Sequence, residues 1–207
     1  MSEDNVEVQK VVVTRVRCNG PPEGSRNLEE RLMVRFPRLW QRWSALAWRL
    51  LSPRSRLRRA LLSRALISGW AAFNRRDFTL MLVRYAPDVE FEFDPGWQAL
   101  DLGGIFHGHE GIRAGLGQVA EGLDMRFEPA YMLDLGDRGL ALGFFHAQAS
   151  ASGVHLEGEI AQLSTPREGV IVRDQSWYSW EPGLRAAGLD PDSIALPKRG
   201  MAGQRAE

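Results

Sequence analysis

From residue 57 onward, apolar and polar positions repeat with two clear periods. In LRRALLSRALISGWAAFNRRDF, Leu62, Leu66, Trp70 and Phe73 recur at three- and four-residue steps, which places them on one face of a helix. Asn74 suits a left-handed stop, and Asp77 is positioned to cap a second short helix, FTLMLVRYA, which Pro87 ends. In DVEFEFD the period falls to two. Val89, Phe91 and Phe93 alternate with Glu90, Glu92 and Asp94, the pattern of a strand with one buried face. GIFHGHEGIRAGL then predicts a brief strand at Ile105 and Phe106 that enters a helix through Gly108, with Ile112, Leu116 and Val119 on its buried side and Gly122 at its end. The remainder reads as four strands, MRFEPAYMLDLG, RGLALGFFHAQAS, VHLEGEIAQLST and GVIVRDQSWYSW, separated by the turns GDRG, ASG and PREG, before a helical turn in LRAAGL. Strands joined so tightly pair antiparallel, and helices ahead of such a sheet make an α+β layer.

The first 56 residues are patterned differently. Residues 6–18 read as an isolated strand-like run that NGPPEGS breaks. Between Arg26 and Arg64 there are eleven arginines, no lysine, and Glu29 and Glu30 as the only acids, with Trp40, Trp43 and Trp48 interleaved. RLWQRWSALAWRLL predicts a helix with an apolar stripe at Leu39, Trp43, Leu46 and Leu50; Pro37 suits its first turn and Pro53 stops it. The main reading is a helix docked on the following domain with its arginines in water. The alternative is a peripheral contact of residues 26–64 with an anionic membrane or with nucleic acid phosphates. The chain thus divides into an N-terminal extension (1–56), a main domain (57–190) and an unstructured tail (191–207).

Composition adds limits. With 207 residues, 44% of them hydrophobic and 25% charged, the chain fits one sizeable core, and a formal charge of zero gives no whole-molecule attraction for nucleic acid. A single cysteine, Cys18, excludes an internal disulfide, and the opening MSEDNVEV lacks a secretory pattern. A cytoplasmic protein is the expectation.

Element order and several short motifs resemble the SnoaL-like group of the nuclear transport factor two and ketosteroid isomerase superfamily. The matching marks are AAFNRRDF, YAPDVEFEF, FHGHEGI, ASGVHLEGEIAQLST and EGVIVRDQSWYS followed by LRAAGL. The resemblance implies a cone-shaped, curved antiparallel β-sheet with helices packed on its concave face, preceded here by a helical extension. It also implies a homodimer and a small apolar ligand, and no cofactor. Family enzymes use a buried carboxylate to move a proton next to a carbonyl, in isomerase, cyclase or hydrolase chemistry. In this family the last strand carries the acid; here Ser176 falls at the aspartate position and Asp174 two residues before it, on the same side of the strand.

The candidate catalytic residues are therefore Asp174 as proton acceptor with His146, Tyr85 or His107 as donors. His107, Trp70, Phe91, Phe93, Ser176 and Tyr178 are the candidate ligand contacts. His107 and His109 point to opposite sides of an extended segment, so a strand-to-helix corner is preferred over a metal site. The same residues also suit a noncatalytic ligand-binding or interaction module.

Overall fold

A computed structural model describes residues 11–16, 24–100, 103–149, 153–194 and 196. The elements in chain order are β1 (Val12–Arg15), α1 (Leu28–Arg35), α2 (Pro37–Leu50), α3 (Arg56–Asn74), α4 (Phe78–Leu82), β2 (Tyr85–Phe93), β3 (Gly104–His107), α5 (Gly108–Gly122), β4 (Leu123–Asp134), β5 (Gly139–Ala149), β6 (His155–Arg167), β7 (Val170–Trp177) and α6 (Trp180–Ala186), with 3-10 turns at Pro95–Leu100 and Pro191–Ser193. The tail beyond residue 196 lies outside the described residues, as does much of the expected first strand.

The seven strands form one open sheet in the order β1-β4-β5-β6-β7-β2-β3. This corrects the expected cone of antiparallel strands. The sheet is not closed or strongly curled, and it is mixed, because β2 lies parallel to β7 while the other pairs are antiparallel. The tight-turn argument governs only β4 to β7, which hairpins join; β2 is delivered to the sheet by helices, which leave its direction free.

A second correction concerns the short helix after Asp77. It stops at Leu82, and Tyr85 opens β2 instead of closing a helix. Asp77 does cap it, accepting from Leu80 N at 3.1 Å. The left-handed residue expected at Asn74 is Arg76 (φ 60°), whose guanidinium donates to the Met125 and Leu123 carbonyls. Asn74 ends α3 and ties it to β4, donating to Phe127 O and accepting from Phe127 N at 3.0 and 2.8 Å.

Alternation splits the sheet between two cores. Ile160, Phe91, Phe93 and Met125 face a core completed by Trp70 and Phe73 of α3 and Leu116 of α5. Ala161, Leu163, Leu142 and Trp177 face the other way and pack on Trp180 and Leu184 of α6. On the first face, register builds two cross-strand rows: Gly139, Ser164, Asp174 and Phe91; then Ala141, Gln162, Ser176 and Phe93.

α2 lies against the β6–β7 turn. Gly169 there has φ +84°, and a Cβ on it would sit 1.9 Å from the Gln41 carbonyl oxygen, so the helix backbone rests directly on the turn. Gln41 donates to Val83 O at 3.2 Å. At the other end Arg58 donates to the Trp48 and Leu51 carbonyls, each at 3.0 Å, satisfying the end of α2. Arg58 also meets Asp134 of β4 through Nη2 to Oδ1 (2.9 Å) and Nε to Oδ2 (2.7 Å).

Candidate functional site

Between the first sheet face and α2, α3 and α5 lies a cavity of about 420 Å3. Its walls are mainly apolar, with Trp70, Phe91, Phe93, Trp97, Met125 and Phe127 among them. Trp40, Ala47 and Trp48 of α2 also contribute to the wall. Polar groups reach it from the two cross-strand rows, as Gln162, Ser164 and Ser176, and from the start of β2, as Arg84 and Tyr85. The Ser176 hydroxyl is buried and has no hydrogen-bond partner among the described residues, so it is available to a guest.

Asp174 sits behind this surface. It is 0% exposed, and it reaches the cavity through its neighbours. The Tyr85 hydroxyl donates to Oδ2 at 2.5 Å, Gln162 Nε2 donates to the same oxygen at 2.7 Å, and the Ser164 hydroxyl donates to Oδ1 at 3.0 Å. Gln162 is itself oriented, because its Oε1 accepts from the Trp70 indole at 2.8 Å. Burial raises the Asp174 pKa from 3.8 to about 7, while the hydrogen bonds from Tyr85, Gln162, Ser164 and the Gln175 backbone pull it back. Tyr85 is pushed well above 10, by burial first and then by the Asp174 charge and hydrogen bond. The tyrosine therefore keeps its proton, and near neutral pH the carboxyl populates both of its states.

Arg84 is a half-buried cation with incomplete partners. Its Nη2 donates to Ser68 Oγ at 2.9 Å and lies 3.9 Å from Met33 Sδ, whereas Nε has no acceptor. Burial lowers its pKa; the Glu30 and Glu29 carboxylates oppose that effect. Glu30 is reached indirectly, since Ser68 Oγ also donates to Glu30 Oε1 at 2.6 Å.

The remaining candidates are scattered. Trp70, Phe91, Phe93 and Ser176 line the cavity with Tyr85. His107 is exposed at the entry to α5, and His146 is held outside the cavity wall between Glu128 Oε2 (3.2 Å) and Glu157 Oε1 (3.1 Å). Tyr178 packs on Trp97 and Phe145, with ring centroids 5.1 and 4.9 Å away, without lining the cavity. In the GHEG corner, a Cβ on Gly108 (φ +66°) would lie 2.8 Å from Pro87 O. His109 Nε2 donates to the Tyr85 carbonyl at 3.0 Å, which holds the start of β2 in place. Among the described residues no group of three or more His, Cys, Asp or Glu could hold a metal ion.

Gln162, Ser164 and Arg84 were not among the sequence candidates. The period of two in EGEIAQLST does place Ile160, Gln162 and Ser164 on one face, opposite Ala161 and Leu163. Arg84 carries no comparable signal, because its value lies in the partner it lacks.

An open α+β sheet with helices packed on it, and a buried carboxylate behind an apolar cavity, defines the class of protein. Residues 68–174 match the family model of the SnoaL-like domain, about half of the chain, and the chain belongs to that family. An NTF2-like protein of unknown function from Burkholderia pseudomallei is similar at 25% identity, covering 59% of this chain and 93% of its own, with a TM-score of 0.52. TerC, solved with polyporic acid, is similar at 27% identity, covering 60% of this chain and 96% of its own, with a TM-score of 0.51. An NTF2-like protein from Burkholderia thailandensis shares the fold at 19% identity, with coverage of 61% and 96% and a TM-score of 0.51. No curated protein matches the chain.

Proposed function

We propose that the domain takes up a small, mainly apolar molecule in this cavity and presents to it one proton-transferring group, the Tyr85 hydroxyl, with Asp174 acting through it. The observation that carries this reading is placement: mainly apolar walls line a space of about 420 Å3, and the buried carboxylate meets that space through a tyrosine. With Asp174 ionised, the Tyr85 proton is engaged by Oδ2 and the phenol oxygen offers a lone pair to the guest. A guest proton passes to that oxygen as the Tyr85 proton passes to Asp174, and the reverse step returns a proton to a second position on the guest. A carboxyl held near neutrality by burial suits both directions. Arg84 supplies a cation for a guest that bears, or develops, negative charge. The polyporic acid in TerC crystals supports a small-molecule guest in this fold.

Binding without turnover is the second reading. It is favoured by the hydrogen bonding of Asp174, whose two oxygens both accept from protein groups. The homodimer implied by the family resemblance and a cytoplasmic location complete the proposal; among the described residues no helix is long and apolar enough to cross a membrane.

Gly69 provides the test. It lines the cavity from α3, and a Cβ there would meet nothing within 4 Å. Gly69→Phe should fill the space while keeping the fold, since glycine inside a helix costs about 1 kcal/mol. Saturable binding of 2-naphthol, followed by its fluorescence, should weaken at least tenfold in Gly69→Phe. Equal affinity in both proteins, or no saturable binding to the parent, overturns the reading.

A further inference from the structure

The apolar stripe of α2 is not used for docking. The helix turns Trp40, Ala47, Trp48 and Leu51 of its end toward the cavity, and leaves Leu39, Trp43, Leu46 and Leu50 in solvent, with Trp43 62% and Leu50 72% exposed. The stripe follows the three- and four-residue steps of one helical face, and the flanking segments add exposed Phe36, Leu57 and Leu61. Exposed Arg35, Arg38, Arg42 and Arg49 border it, followed by Arg54 and Arg56 beyond the helix. The acids of the stretch are turned elsewhere: Glu30 is buried against Ser68 and Arg75, and Glu29 pairs with Arg64. The neutral total charge thus conceals a strongly cationic, apolar surface balanced by an acidic remainder.

A nucleic acid would take up the arginines and stack on Trp43 but would leave Leu39, Leu46 and Leu50 without apolar cover. A ring of guanidinium groups around an apolar stripe matches the headgroup and acyl layers of an anionic bilayer. Trp43 makes the connection to the site, because it is exposed on this face and also forms part of the cavity wall. We propose that α2 docks on an anionic lipid bilayer, with Leu39, Trp43, Leu46 and Leu50 in the acyl boundary and the arginines at the headgroups. The cavity wall then stands at the membrane surface, where an apolar guest is concentrated.

The test is cosedimentation of the full chain with vesicles of phosphatidylcholine, alone or mixed with phosphatidylglycerol. Binding should require the anionic lipid, weaken with added salt, and fall at least tenfold in a Trp43→Ser, Leu46→Ser double variant. Both residues are exposed, so the fold should persist, and circular dichroism checks this. Equal binding by the double variant, or no binding of the parent to phosphatidylglycerol vesicles, overturns the proposal. A concentration-dependent dimer in sedimentation velocity that the same substitutions dissolve also overturns it, by assigning the stripe to a second copy of the chain.

Discussion

The Tyr85 hydroxyl lies 2.5 Å from Asp174 Oδ2, across the parallel pairing of β2 with β7. The short contact joins the first residue of one strand to the middle of the other. A register shift between Tyr85 and Glu90 brings the two together, since the regular pairing places Phe91 opposite Asp174.

Stability should depend on pH through Asp174. Its folded pKa of about 7 lies above the unfolded value of 3.8, so the native state binds the extra proton between them. Stability from this group is full below about pH 4, falls as pH rises toward 7, and is flat above, a loss on the order of 4 kcal/mol at most. Urea unfolding at several pH values checks the slope. Asp174→Asn should flatten it, because a neutral amide can still accept from Gln162 and donate to Ser164.

Arg58→Ala should cost about 3 to 5 kcal/mol, because it strands the Asp134 carboxylate, which is only 4% exposed, and frees the end of α2. Thermal unfolding measures the loss. Arg58→Met with Asp134→Leu should recover much of it, since no unpaired charge is left.

Gly169→Ala should separate the cavity from its α2 wall. The new methyl collides with the Gln41 backbone, and alanine is strained at φ +84°. We expect a loss of about 1 to 3 kcal/mol in unfolding experiments, together with weaker 2-naphthol binding. Undiminished binding would mean that α2 does not contribute to the guest's enclosure.

Much of the main domain was legible because its signals are local. The faces of α3 and α5, the Asp77 cap, and the alternation of Val89, Phe91 and Phe93 each follow from neighbours a few residues apart. Asp174 could be singled out by alternation with Ser176 once the family resemblance was recognised. The direction of β2 was not legible, because it depends on how helices deliver the strand. The helical spacing of FTLMLVRYA places Tyr85 at a helix end, and only tertiary pairing pulls Arg84 and Tyr85 out of it. For α2 the spacing gives the stripe but not which face docks: Gly169 allows the opposite, weaker face to pack so closely that the stripe is left outside.

The central claim is that Asp174 is a near-neutral buried carboxyl coupled to the cavity through Tyr85. Following the 13C resonance of the Asp174 carboxyl through a pH titration tests it directly. We expect a midpoint near 7, a higher one in Tyr85→Phe because a hydrogen bond to the ionised form is lost, and a response to 2-naphthol that this variant abolishes. A midpoint close to 3.8 that is the same in both proteins and indifferent to 2-naphthol would contradict it.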